Sequence, residues 1–120
     1  MARTILKIIL PKTPSLNNLY GTNRNGRKYI KNHARVWKEE CILRIRVLTT
    51  QETFLGKCSL LVHLYTSRHQ DNDSILKLLM DSIQASEIIK DDYQIFDERV
   101  IKHKCKKDDE RVDILLKEML

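Results

Sequence analysis

Cysteine is scarce in this chain of 120 residues, and Cys41, Cys58 and Cys105 are odd in number, widely spaced, without a C-x-x-C pair or a histidine at zinc-finger spacing. A disulfide framework and a structural zinc site are therefore excluded, and reduced thiols are expected. Long hydrophobic runs are missing too. No window approaches the roughly 18 consecutive apolar residues of a membrane-spanning helix, and the apolar run in MARTILKIILPK is too short for a secretory signal. The expectation is a soluble, unexported, cytoplasmic protein with no membrane partner. No internal repeat, low-complexity tract or linker interrupts the sequence, and its length suits a single domain, residues 1–120, whose core needs neither disulfide nor metal.

Acidic residues are nearly absent from the first part of the chain. Residues 1–50 carry 11 Lys and Arg against 2 Asp and Glu, and residues 51–120 carry 11 against 14, so the net +6 divides into +9 and −3. A basic half joined to a mildly acidic one points to a polyanionic partner, nucleic acid first, with carboxylates gathered elsewhere for another purpose. Ordinary lysine on solvated faces is the alternative reading of the same excess.

Residues 4–10, TILKIIL, read as a strand closed by Pro11 and Pro14. Residues 12–31 are rich in Pro, Ser, Asn, Gly and Arg, and the turn dipeptide Asn25-Gly26 is flanked by Arg24, Arg27 and Lys28; this predicts a long basic loop, either an ordered polyanion-binding arm or a disordered one. Residues 33–49 place Val36, Trp37, Cys41, Ile42, Ile45 and Val47 at helical spacing, with Trp37 as a core anchor. CSLLVHLYT, residues 58–66, reads as a buried strand, with a short helix as the alternative and His63 in a structural role. Residues 74–85 read as a second amphipathic helix that faces the core through Ile75, Leu76, Leu79, Met80 and Ile83 and is N-capped by Asp73. Residues 94–104 and 111–117 read as an antiparallel hairpin closed by KKDDE. The order β, α, β, α, β, β predicts an α+β fold, one mixed sheet with two main helices packed on it.

The carboxylates Asp71, Asp73, Asp91 and Asp92, with Lys77, are the candidates for chemistry. If the strand continues to the helix, Asp71 and Asp73 leave from one face, and Lys77 lies one turn beyond Asp73. A helix of about 12 residues and a connection of about 6 are expected to bring Asp91 and Asp92 back to the same end. Such acids beside a basic groove suit magnesium, a hard ion that takes one or two carboxylates along with phosphate oxygens; zinc would call for His or Cys. The ion would polarise a phosphoryl group, lower the pKa of a water and stabilise a leaving oxygen, while Lys77 offset developing charge. The same residues also fit ordinary structure: a cap, a turn, a solvated i+4 partner and a second turn.

The motifs carry a second message when taken together. Pro14-Ser15-Leu16-Asn17-Asn18-Leu19-Tyr20, the Asn25-Gly26-Arg27 loop, the helix after it, Asp71-x-Asp73-x-x-x-Lys77 and Asp91-Asp92-x-Gln94-Ile95 follow in the order found in the RusA family of Holliday junction resolvases, which the chain resembles over nearly its whole length. The resemblance implies a homodimeric endodeoxyribonuclease, bacterial or phage-encoded. It would use Mg2+, or Mn2+ in its place, bind four-way junction DNA and make paired symmetric nicks in recombination and repair, with no small-molecule substrate. It implies metal binding and catalysis by Asp71, Asp73 and Asp92, a catalytic phosphate contact by Lys77, and supporting roles for Asp91 and Ser74. DNA contacts are implied for Arg24, Arg27, Lys28, Lys31 and Arg35 of the basic loop, which Asn17 and Asn18 would help order, and for Arg68. The chain departs from the family at Ser74, where Asn is usual, at Gln70, where Arg is usual, and at Glu87, where a turn glycine is usual. Ser74 has less reach toward a carboxylate than an amide, and Arg68 and His69 stand near the missing charge. The alternative is a non-catalytic DNA-junction-binding module whose acids are purely structural; an RNA or flap nuclease of related mechanism would differ only in substrate.

Overall fold

The computed structural model describes residues 2–12, 20–30, 32–49, 52–68 and 72–120, with the side chains of residues 20, 21, 28, 30 and 72–74 excepted. Along the chain come strand β1 (Thr4–Pro11), β2 (Tyr20–Thr22), β3 (Lys28–Ile30), helix α1 (Asn32–Leu48), β4 (Cys58–Thr66), helix α2 (Asn72–Ala85), β5 (Ile95–Lys104) and β6 (Arg111–Glu118). Strict alternation makes β4 a central strand: Cys58, Leu60, Val62, Leu64 and Thr66 are buried and the residues between them are partly exposed. The expected helical alternative for this segment is thereby removed.

The main sheet has the order β1-β6-β4-β5. β6 lies antiparallel to both β1 and β4, and β4 lies parallel to β5. The expected β5–β6 hairpin is therefore corrected. The charged link holds a 3-10 turn at Lys107–Asp109, and the chain crosses past β4 to insert β6 between β4 and β1. Burial on alternate residues at Val112, Ile114 and Leu116 rewards β6 for a place in the middle of the sheet, whereas β5, with Phe96, Glu98 and Lys102 exposed, stays at its edge.

Both helices pack on one face, in one continuous core. α1 buries Ala34, Trp37, Cys41 and Ile45, and Trp37 anchors it by donating its indole N–H to the Pro11 carbonyl at 3.2 Å. Val36 and Val47, expected on this stripe, are 56% and 77% exposed, because steps of three and four residues from Ala34 select the opposite flank. α2 buries Ile75, Leu78, Leu79 and Ile83, with Leu76 and Met80 partly covered. It begins at Asn72, so Asp73 lies in its first turn and is not its cap. Among the described residues no helix is long and apolar enough to cross a membrane.

The basic segment carries more order than a loop. β2 and β3 form an antiparallel hairpin, Tyr20 against Ile30 and Thr22 against Lys28. Its turn is built on Asn23, whose Oδ1 accepts from the amides of Asn25 and Arg27, both at 3.1 Å, and Gly26 supplies the left-handed φ of 77° that closes it. Residues 13–19, and with them Asn17 and Asn18, lie outside the described residues.

Candidate functional site

α2 places Asp73, Lys77 and Asp81 at successive steps of four, one stripe along the helix. Lys77 is exposed and Asp81 half-buried. Ser74 shares the first turn with Asp73, while Asp71 and His69 lie outside the described residues. Asp81 was not among the expected site residues; the spacing Asp73-x-x-x-Lys77-x-x-x-Asp81 is the signal that pointed to it.

The acidic pair is set by a built turn. Asp91 caps a 3-10 turn at Asp92–Gln94, its carboxylate accepting from the Tyr93 amide at 3.4 Å. Gln94 is buried and holds four backbone groups. Its Oε1 accepts from the amides of Lys90 at 2.8 Å and Asp91 at 3.0 Å, and its Nε2 donates to the carbonyls of Phe54 at 2.8 Å and Gly56 at 3.0 Å. Gln94 thus ties the acidic turn to the segment that enters β4. Sequence reasoning gave it no role, although Asp91-x-x-Gln94 has capping-box spacing. The turn before it is equally defined: Glu87 takes a left-handed φ of 66° just past α2, so the chain follows a glycine-like path with no glycine. Its carbonyl accepts from Thr53 Oγ1 at 2.7 Å, and Phe54 N donates to the Ile88 carbonyl at 2.9 Å.

The topology revises how the acids come together. Because β4 and β5 are parallel, α2 leaves the far end of β4 and runs back along the sheet, and the chain re-enters at Ile95 beside Cys58. Asp91 and Asp92 therefore approach α2 from its C-terminal end, and the expected return to the end that carries Asp73 is corrected. The eight residues from Asp73 to Asp81 span about 12 Å of helix axis, with Lys77 midway. Asp92 is exposed, yet its carboxyl is raised above its ordinary pKa, first by a hydrogen bond with the Asp91 side chain, then by partial desolvation and by the charges of Asp91 and Asp81. Negative charge is thus in excess where the acidic turn meets the stripe. Among the described residues no three His, Cys, Asp or Glu side chains are grouped to hold a metal ion; the side chains of two of the three expected ligands, Asp71 and Asp73, lie outside that description.

The expected DNA contacts fall in three places. Arg24 and Arg27 are exposed on the β2–β3 turn, while Lys28 lies in β3 and Lys31 outside the described residues. Arg35 is exposed at the start of α1, its guanidinium donating to Asn32 Oδ1 at 2.7 Å. Arg68 is exposed just past β4, its amide donating to Thr66 Oγ1 at 3.1 Å. No family model and no curated protein sequence matches this chain.

Proposed function

We propose that this protein is a magnesium-dependent, structure-selective endodeoxyribonuclease similar to the RusA family, acting as a homodimer on four-way DNA junctions. The observation that carries this reading is the Asp91–Asp92 turn brought up to Asp81 on α2, four residues from Lys77, with the charge on Asp92 disfavoured by its acidic neighbours. A divalent cation relieves that strain, and an all-carboxylate donor set suits a hard ion. Asp81 and Asp92, the acids that meet toward the C-terminal end of α2, would supply its carboxylates, whereas the expected ligands Asp71 and Asp73 belong to the other end of the helix. When bound, the ion supplies polarisation of the phosphodiester and a water of lowered pKa. Lys77 neutralises charge that develops on the phosphate, and Arg24 and Arg27 hold the backbone by charge. A homodimer presents two copies of the site to the two strands that pseudo-twofold symmetry relates in a junction.

The test is cleavage of a labelled synthetic four-way junction and of plain duplex with Mg2+, with EDTA, and with the Asp81→Asn and Asp92→Asn proteins. Paired symmetric nicks on the junction that require Mg2+ and vanish in both variants, with junction binding retained, are expected. Arg24→Ala combined with Arg27→Ala should weaken binding and flatten its dependence on salt. Tight junction binding with no nicking under Mg2+ or Mn2+ would favour the binding module, with the acidic residues purely structural.

A further inference from the structure

The sheet face opposite the helices is partly exposed among the described residues, and its character changes along the strands. Around its middle, Leu61, Leu115 and Ile9 make it apolar. At the end where β4 and β5 finish, it becomes planar and polar. Tyr65 and His103 are register partners on β4 and β5, and their rings stack with centroids 4.5 Å apart at 15°. Arg111, opposite Tyr65 on β6, lays its guanidinium 3.8 Å from the other side of that ring. His63 stacks on His103 at 5.0 Å and 28°, and its Nδ1 lies 2.7 Å from His103 Nε2. All four side chains are partly exposed.

Stacking on both sides leaves the ring edges as the accessible part, and what those edges offer depends on protons. In the neutral pair one N–H lies between the rings, so of the two outer nitrogens, His63 Nε2 and His103 Nδ1, one carries hydrogen and the other is bare. One added proton gives both outer nitrogens a donor and the pair a positive charge. A second would set two N–H groups against each other across the 2.7 Å contact. The surrounding charges leave room for that proton. Arg111 is offset by Asp113, which its Nε meets at 3.2 Å and which is also the register partner of His63 from β6; Lys7 on β1 and Arg99 on β5 lie one step away, beside Leu115 and Leu61. The row also adjoins the basic segment, since Pro11, where β1 ends before the β2–β3 hairpin, pairs with Arg111, and Thr66 leads to Arg68.

We propose that this row is a second contact for the nucleic-acid backbone, seating a phosphodiester on Arg111 and the His63–His103 pair, and that seating it draws one proton from solvent onto the pair. The inference rests on the nucleic-acid reading above. It is tested by fluorescence anisotropy with labelled four-way junction and duplex DNA in EDTA, at fixed ionic strength, from about pH 8 to about pH 6, where imidazoles titrate. Binding by the wild-type protein should tighten on acidification, by up to about tenfold per pH unit, the ceiling for one linked proton. His103→Gln and His63→Gln should each abolish that slope while His33→Gln keeps it, and Arg111→Gln should weaken binding at every pH. His103, on an edge strand, provides the variant most tolerant of change should His63→Gln disturb the core. A slope that survives in both pair variants, or a wild-type affinity indifferent to pH, overturns the proposal and leaves the nuclease reading standing. Absence of DNA binding at every pH overturns both.

Discussion

Replacing Gln94 isolates the contribution of one side chain to the acidic turn. Gln94→Ala removes four hydrogen bonds and leaves two amides and two carbonyls without their partner. Each bond contributes about 1 kcal/mol net, and an abandoned buried partner costs about 1–3 kcal/mol. Lys90 and Gly56 are exposed, so water satisfies part of what is lost. The expected loss is about 2–4 kcal/mol, or roughly 8–16 °C in Tm for a domain of this size, read by circular dichroism in thermal and urea unfolding. Gln94→Glu sharpens the test, because the new carboxylate still accepts from the Lys90 and Asp91 amides but turns its second oxygen on two carbonyls. Its folded pKa is raised by that repulsion, so its stability is full below the unfolded value of about 4.3 and is lost as pH rises through the folded value. The deficit against wild type should be large at neutral pH and shrink on acidification. A Gln94→Ala loss below about 1 kcal/mol, or a Gln94→Glu deficit that ignores pH, would refute the bonding assigned to this residue.

The remaining expectations concern backbone, charge and thiols. Glu87→Gly should raise Tm by a few degrees, since relief of a left-handed backbone worth about 1–2 kcal/mol outweighs the glycine's added unfolded-state freedom and an exposed pair with Arg46 at 3.7 Å; Glu87→Ala, which keeps the strain, should not. Because the folded pKa of Asp92 is raised, its favourable contribution is present at low pH and lost as pH rises, so Asp92→Asn should unfold about a degree or so higher than wild type at neutral pH, with the gap closing below about pH 4; a lower Tm at neutral pH would contradict the like-charge account. Burial pushes the Cys41 thiol up to about 12 and raises Cys58, and desolvation with the Glu110 and Asp109 charges raises Cys105 too. Cys105 is partly exposed where the other two are buried, so a thiol reagent at alkaline pH should reach Cys105 first in the native protein and all three after unfolding, counted by mass spectrometry.

Local pattern carried the sequence reading furthest where one face is buried. The apolar run CSLLVHLYT, read as a buried strand, has the observed limits of β4, and Trp37 is the anchor its neighbours imply. Pattern failed where pairing is decided at a distance. Nothing within KKDDE says that the strands on either side of it do not pair; that follows from β6 burying Val112, Ile114 and Leu116 between two partners. The same limit applies to the acids. Their spacing supports one group, but a parallel β4–β5 pair forces α2 to span the sheet, and Asp92 arrives from the other end. The row of Tyr65, His103 and Arg111 was invisible for a related reason, since its members come from three strands far apart in sequence.

Strand order also has a consequence for how the chain acquires its structure. Among the described residues β1 finds its strand partner only in β6, with Thr4 opposite Lys117, and β6 is equally the bridge to β4. While the chain is being synthesised, the first strand waits through nearly the whole sequence for its neighbour, and the sheet stays in two halves until the residues around 111–118 have emerged from the ribosome. Closing so long a loop costs entropy before any contact rewards it and slows folding. Loss of those strand residues would therefore act on both halves of the sheet at once, leaving β1 without its strand partner and β4 bare on one side.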